Sequence, residues 1–363
     1  RTAVPAFANS AMDGFAVRHC DLAAGVALQV VADVPAGSSA DPDFGAGECV
    51  RIMTGAPVPS AADTIVQVEH TTVASESTVV IDVVPPLGAH VRRAAEDMAL
   101  GDRVLASGAR LGPRELSALA AAGHADAPCV RRPVVGVVST GDELVAPGGT
   151  LGRGQIFESN ATYLASAVAR DGGVPVVVGP ISDSEDALRS ALDALADQCD
   201  LIVASGGVSV GDYDVVRLTL ADGTFRHVRM QPGKPQGWAR WPAPGDADRC
   251  VPVVALPGNP LSAAISYEVF VRPTLAKLLG CASPTWTPAV ASEGWSSPAG
   301  RAQLLPVTVE VDASGRQTVR PAHRRGSASH MVTSLASAEA IALIDADVDQ
   351  VTTGDLVQIR RLE

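Results

Sequence analysis

Leu201-Ile202-Val203-Ala204-Ser205-Gly206-Gly207-Val208-Ser209-Val210-Gly211 is the stretch whose reading decides the fold. A short apolar run closed by glycines reads as a strand buried on both faces, the pattern of a parallel sheet. A helix is expected directly after it, over 213–220, which makes the stretch one βα unit. The same alternation fills 133–280, with strands expected at 134–139, 174–179, 201–205, 225–230 and 251–256. Helices are expected at 161–170, 185–196, 213–220 and 261–279, the last kinked by Pro273, which has no N–H to donate. Regular β–α alternation predicts a doubly wound, mostly parallel α/β domain.

On either side the pattern changes. The first part of the chain carries short Val-rich runs at 27–31, 64–68 and 78–83, punctuated by Gly and Pro, and reads as a small β domain. Leu111-Gly112-Pro113 then opens a helix with Pro at its first position, and Gly123 closes it. After Pro284, β-rich runs at 304–311, 318–321, 341–344 and 356–360 predict a small C-terminal β domain. The 363 residues exceed what one core supports, in keeping with several domains.

Composition narrows the class of partner. Net charge is −12, so neither nucleic acid nor an anionic membrane is an expected partner, since both require a basic surface. No apolar run spans a bilayer and no secretory h-region is present, so the cytoplasm is the expected compartment. The six cysteines are scattered without a C-x-x-C pair and read as reduced thiols. If a soft transition metal is handled, its sulfur ligands must come from the substrate.

Ligands of open α/β sheets sit beyond the carboxyl ends of the strands. Four polar turns fall there. Ser139-Thr140-Gly141-Asp142-Glu143-Leu144 places adjacent carboxylates at the sheet's mouth, or is a glycine turn with solvated acids. The Ser205 to Gly211 loop offers backbone amides to a phosphate or other oxyanion, or is a plain tight turn. It lacks both the G-x-G-x-x-G pattern and a Walker lysine. Gln231-Pro232-Gly233-Lys234-Pro235 holds a lysine between prolines, and Pro257-Gly258-Asn259-Pro260-Leu261-Ser262 feeds a helix N-terminus. Singly each is ambiguous; four on one sheet edge describe a cleft for a large phosphorylated ligand.

A series of motifs then matches a known pattern: Asn9-Ser10-Ala11-Met12-Asp13-Gly14-Phe15-Ala16-Val17-Arg18, and Val50-Arg51-Ile52-Met53-Thr54-Gly55-Ala56-Pro57-Val58-Pro59. Glu96-Asp97, Ser139 to Leu144, Gln155-Ile156 with Ser159-Asn160, the Ser205 to Gly211 loop and Pro257-Gly258-Asn259-Pro260 continue it in order. Over nearly the whole chain the sequence resembles the MoeA and gephyrin E-domain family of molybdopterin molybdenumtransferases. The resemblance implies a multidomain α/β plus β protein with a central MogA/MoaB-like doubly wound domain at 133–281. It further implies an inserted N-terminal β domain at 11–91, a helical linker subdomain at 1–10 and 92–132, and a C-terminal β domain at 282–363. Because the sequence opens at Arg1 inside the pattern, an N-terminal piece of the linker subdomain is expected to be missing.

The family's reaction inserts molybdate into adenylylated molybdopterin with release of AMP. Position by position, the resemblance implies catalytic roles for Asp13, Asp97, Glu143, Asp183 and Asp214. It implies substrate or phosphate contacts from Thr140, Gly141 and Asp142, from Ser205, Gly206, Gly207 and Ser209, from Lys234, and from Pro257, Asn259 and Pro260. It also implies a place at the cleft rim for Ser329, beside His330, while Asp142, Glu143, Asp183 and Asp214 would ligate Mg²⁺ or orient the attacking oxygen. The family is a homodimer whose active site is shared between subunits, so Asp13 would act in trans. A MogA-like adenylyltransferase and molybdoenzyme maturation factors would be partners. Molybdopterin adenylylation, tungstate insertion and a gephyrin-type scaffold role stand as alternatives. Three departures bear on substrate contacts. Gln231 stands where many members have lysine, with Arg240 as a candidate to restore that charge; Gln236 opens a changed run, and Ala95 replaces the usual glycine.

Overall fold

The structure, a computed structural model, describes residues 1–208, 214–323, 329 and 332–362. Ser209, Asp212, Tyr213 and His330 lie outside the described residues. The chain forms two compact units, Arg1–Pro128 and Cys129–Glu363.

The first unit is built on a six-stranded sheet of β1 (Gly14–Val17), β2 (Ala27–Val34), β3 (Glu48–Ile52), β4 (Thr64–Gln67), β5 (Thr71–Ser75) and β6 (Thr78–Ile81), ordered β4-β1-β3-β2-β6-β5. All four residues of β1 are buried because alternate side chains enter opposite cores: Phe15 and Val17 one, Ala16 the other. Asn9–Ser10 pairs antiparallel with Val91–Arg92, which brings together the two ends of the segment that holds this sheet. Helix α1 (Pro113–Ala121) starts as expected with Pro at its head. The Gly112 N–H donates to Glu115 Oε2 at 3.0 Å, and Gly123 turns the chain away at φ 80°.

The second unit holds the α/β sheet: β7 (Val134–Thr140), α2 (Asn160–Arg170), β8 (Val174–Ile181), α3 (Glu185–Gln198), β9 (Leu201–Ser205), α4 (Val215–Thr219), β10 (Thr224–His227), β11 (Pro235–Ala243) and β12 (Asp246–Leu256). The strand order is β8-β7-β9-β12-β11-β10. One core lies under α3 and α4 and another under α2 and the helix after β12, so both faces are covered. Gly136 in β7 admits α3: a Cβ there would sit 3.0 Å from Leu195 Cδ2.

Two sequence expectations change. The 225–230 strand is interrupted, because the Val228 N–H bonds to the Lys234 carbonyl and Met230–Gln231 leaves to join another sheet. The sheet is mixed, since β11 runs antiparallel to β12 and was not expected as a strand. Its period-2 signal was present: Trp238 and Arg240 are exposed while Ala239 and Trp241 are buried.

The C-terminal strands β13 (Thr287–Ala291), β14 (Ala302–Val311), β15 (Gln317–Pro321), β16 (Ala340–Ile344) and β17 (Leu356–Arg361) close on themselves, because β14 pairs with both β15 and β16. Met230–Gln231 adds to β14 in parallel at Ala302 and Gln303.

Candidate functional site

Strands β7, β8 and β9, first, second and third in this sheet, lie in the order β8-β7-β9. The chain therefore leaves β7 and β9 in opposite directions, and this switch point is where α/β folds open a crevice. A cleft of about 590 Å³ lies there.

Its walls are three loops in close approach. Gly206 adopts φ 104°, and a Cβ there would come 2.8 Å from the Thr140 carbonyl oxygen. Gly258 lies in ordinary van der Waals contact with the glycine loop, since its Cβ would be 3.4 Å from Gly206 Cα. Asn160, the first residue of α2, clamps two of the loops by donating through Nδ2 to Ser205 Oγ at 2.8 Å and to the Gly258 carbonyl at 2.7 Å. Glu158 Oε1 accepts the Ala161 N–H at 2.7 Å and so satisfies an otherwise orphaned amide in the first turn of α2.

The cleft gathers most of the residues that the resemblance singles out. Thr140, Gly141, Glu143, Asp183, Ser205, Gly206, Gly207, Asp214, Pro257, Asn259 and Pro260 all line it. Asp142 stands just behind: Asp142 Oδ1 accepts the Asp183 N–H at 3.2 Å, and Asp183 Oδ2 accepts the Asp142 N–H at 3.4 Å. Ser329 reaches the same rim from the C-terminal barrel, its Oγ accepting from Asn259 Nδ2 at 3.2 Å and its carbonyl from the Leu261 N–H at 3.0 Å. Glu158, which also lines the cleft, was missed, and Asn160 and Ser262, quoted in their motifs, were given no role. The signal available for Asn160 was a polar residue at a strand-to-helix junction on the ligand edge.

Acids line this cleft. Among the described residues, its lining includes Glu143, Glu158, Asp183 and Asp214 but no lysine or arginine. Lys234 is exposed in the turn whose next residue, Pro235, lines the cleft. In the same turn Gln231 Oε1 accepts from Arg301 Nη1 at 2.7 Å, so a guanidinium of the barrel meets the residue that stands where a lysine was expected. Arg240 does not restore that charge. It pairs with Pro252 well along β11, and about 3.3 Å per residue carries it far from the turn that begins the strand.

Asp13 and Asp97 belong to the first unit. The exposed Asp13 carboxylate accepts from both the N–H and the Oγ1 of Thr54, each at 2.7 Å. The backbone hydrogen bond first, then the hydroxyl, hold its pKa below the usual carboxylate range. The next residue, Gly14, admits β4 against β1, because a Cβ there would come 2.0 Å from the Val66 carbonyl oxygen. Asp97 is exposed, and its N–H donates to the Val4 carbonyl at 3.0 Å. Nearby Ala95 has φ 61°, a left-handed backbone that explains why glycine would be at ease there.

The oxygen-only donors at the cleft suit a hard divalent cation. Among the described residues, no three His, Cys, Asp or Glu side chains are gathered into a group that could hold a metal by themselves. No helix among the described residues is long and apolar enough to cross a membrane.

Fold and cleft together define a class first: a multidomain protein whose doubly wound domain opens a switch-point cleft, with a β unit before it and a β-barrel after it. Comparison with known proteins narrows this. Residues 1–123 match the MoeA N-terminal region (domain I and II), 136–277 the probable molybdopterin binding domain, and 288–362 the MoeA C-terminal region (domain IV). The chain is 38% identical to molybdopterin molybdenumtransferase 2 of Mycobacterium tuberculosis over 98% of its own length and 89% of that protein's. It is 32% identical to the molybdopterin molybdenumtransferase of Haemophilus influenzae, over 98% of this chain and 87% of that one. Among solved structures, the molybdopterin biosynthesis MoeA protein from Pyrococcus horikosii superposes with a TM-score of 0.80 at 28% identity, covering 100% of this chain and 89% of that one. The chain belongs to the MoeA family.

Proposed function

We propose that this protein is a molybdopterin molybdenumtransferase. It inserts molybdate into the dithiolene of adenylylated molybdopterin, releases AMP and so completes the molybdenum cofactor. The observation that carries this reading is a carboxylate-lined switch-point cleft walled by glycine loops, beside a turn that carries the exposed Lys234 and whose Gln231 is met by Arg301.

Each group has a task in this chemistry. The close-packed loops at Thr140, Gly206 and Gly258 shape a pocket that backbone can line, suited to the pterin and its phosphates. Lys234 and Arg301 hold tetrahedral dianions, the guanidinium as a planar fork and the ammonium as a point charge. Glu143, Asp183 and Asp214 are the cleft residues that would hold Mg²⁺, and Asp142 accepts the Asp183 N–H. Mg²⁺ needs only one or two carboxylates when phosphates and waters complete its shell, so a preformed three-residue group is not required. When bound, that ion neutralises charge developing on the phosphoanhydride.

The same reading makes the protein a homodimer in the cytoplasm, fed by a MogA-like adenylyltransferase, with Asp13 of one subunit serving the cleft of its partner. Asp13 suits such a role because it is exposed, ionised and held by Thr54. The four-domain division belongs to this reading too, and the Asn9–Ser10 to Val91–Arg92 pairing supports an inserted β domain.

Reconstitution tests the reaction. With adenylylated molybdopterin, Mg²⁺ and molybdate, the protein should yield a cofactor that activates an apo-molybdoenzyme. Activity from molybdopterin and ATP instead would establish adenylylation and overturn the reading. Mixing Asp13→Asn with Asp214→Asn protein should restore activity through subunit exchange; no recovery would end the shared-site claim.

A further inference from the structure

The helix after β12 starts at the cleft loop and runs as Pro260–Ser266, a π-turn at Tyr267–Val271, and Arg272–Leu278. Pro273 was expected to kink it, and a π-turn lies on its N-terminal side. The Arg272 N–H bonds the Tyr267 carbonyl, five residues back. The Glu268 carbonyl thereby loses its α-helical donor. Its π-helical donor would be residue 273, a proline with no N–H. Arg360 of β17 fills the position, its Nη1 donating to that carbonyl at 2.5 Å while its guanidinium stacks on Trp286 at 4.2 Å.

The Glu268 side chain, 1% exposed, binds to the same place. Oε1 accepts from Arg170 Nη2 and Oε2 from Arg272 Nη1, both at 2.8 Å. Both arginines also reach the end of the barrel: Arg170 donates to the Leu362 carbonyl, and Arg272 to the Arg361 carbonyl at 3.0 Å. Strand β17 pairs with β16, and β16 with β14, the strand that follows Arg301. At its other end the helix meets Ser329 of the barrel.

We propose that Glu268 is a positioning residue: with Pro273 it forms a buried latch that fixes the barrel on this helix, so that Arg301 stands at the Lys234 turn and Ser329 at the cleft loop. The assignment of a task to those two residues rests on the proposed function; the latch itself does not.

The test is a double-mutant cycle with two readouts. Glu268→Gln should raise the KM for molybdate about tenfold while leaving kcat within about threefold. In an Arg301→Ala background the same change should raise it less than about twofold, because the contact it positions is already gone. Effects that multiply in full would mark Glu268 as merely structural and overturn the proposal. Should Glu268→Gln fail to fold, Arg360→Lys, which shortens the reach to the Glu268 carbonyl, carries the same cycle. Hydrogen exchange provides the second readout. The Ala302 amide, bonded to the Arg229 carbonyl at 2.9 Å, should exchange faster in the variant while amides of β7 and β9 keep their protection. Unchanged exchange at Ala302 would overturn the latch. If the wild-type protein turns over no adenylylated molybdopterin, the functional reading fails while exchange still decides the latch.

Discussion

Arg301 Nη1 donates to Gln231 Oε1 at 2.7 Å, joining the start of the barrel to the loop that carries Lys234. Among the described residues no carboxylate lies within ion-pair distance of either cation, so both can meet an anionic substrate. Arg301→Ala should raise the KM for molybdate roughly ten- to a hundredfold, since a charge-assisted contact contributes about 1.5–3 kcal/mol. Lys234→Ala should weaken binding of the adenylylated pterin by a similar factor. Unchanged steady-state constants in either variant would remove that residue from the site.

Asn160 holds Ser205 and Gly258 with one amide. Its replacement by alanine should lower unfolding stability by about 1–3 kcal/mol, the range for losing partners of part-buried polar groups. Denaturant titration measures this, and a loss below about 0.5 kcal/mol would show the clamp to be idle.

Gly206 and Gly148 both have positive φ, 104° and 89°, but only Gly206 faces a wall; nothing lies within 4 Å of a Cβ at Gly148. Alanine at Gly148 should cost only the backbone strain, about 1–2 kcal/mol. Gly206→Ala should cost distinctly more and reduce substrate affinity as well. Equal thermal shifts for the two variants would contradict this.

Asp13 is held ionised by Thr54, so Thr54→Val should move its pKa upward, part of the way to the ordinary value, because the backbone N–H remains. Since the folded pKa is the depressed one, the stability it contributes is present above the unfolded pKa and fades as pH falls through the folded value. Carboxyl carbon NMR during titration reads the shift directly. No difference between wild type and variant would assign the depression to other groups.

The parallel core was legible because strands buried on both faces read as continuous apolar runs, as at 201–205. Strand β11 was missed because Gly237 and the flanking prolines Pro235 and Pro242 masked its alternation, and because its antiparallel sense depends on a hairpin back into β12. At the site, turns after strands were readable from sequence, which is how Thr140, Gly206 and Asn259 were found. Arg301 was not, since nothing local distinguishes it; only the pairing of Met230–Gln231 with Ala302 and Gln303 brings it to the cleft turn. The π-turn was likewise hidden, because a proline in a helix signals strain but not the form its relief takes.

The most direct measurement is AMP released in a single turnover of adenylylated molybdopterin with Mg²⁺, with and without molybdate. Rapid, stoichiometric release is expected only when molybdate is present, and it should be lost in Asp214→Asn protein that still folds. Release independent of molybdate, or undiminished in Asp214→Asn, would contradict it.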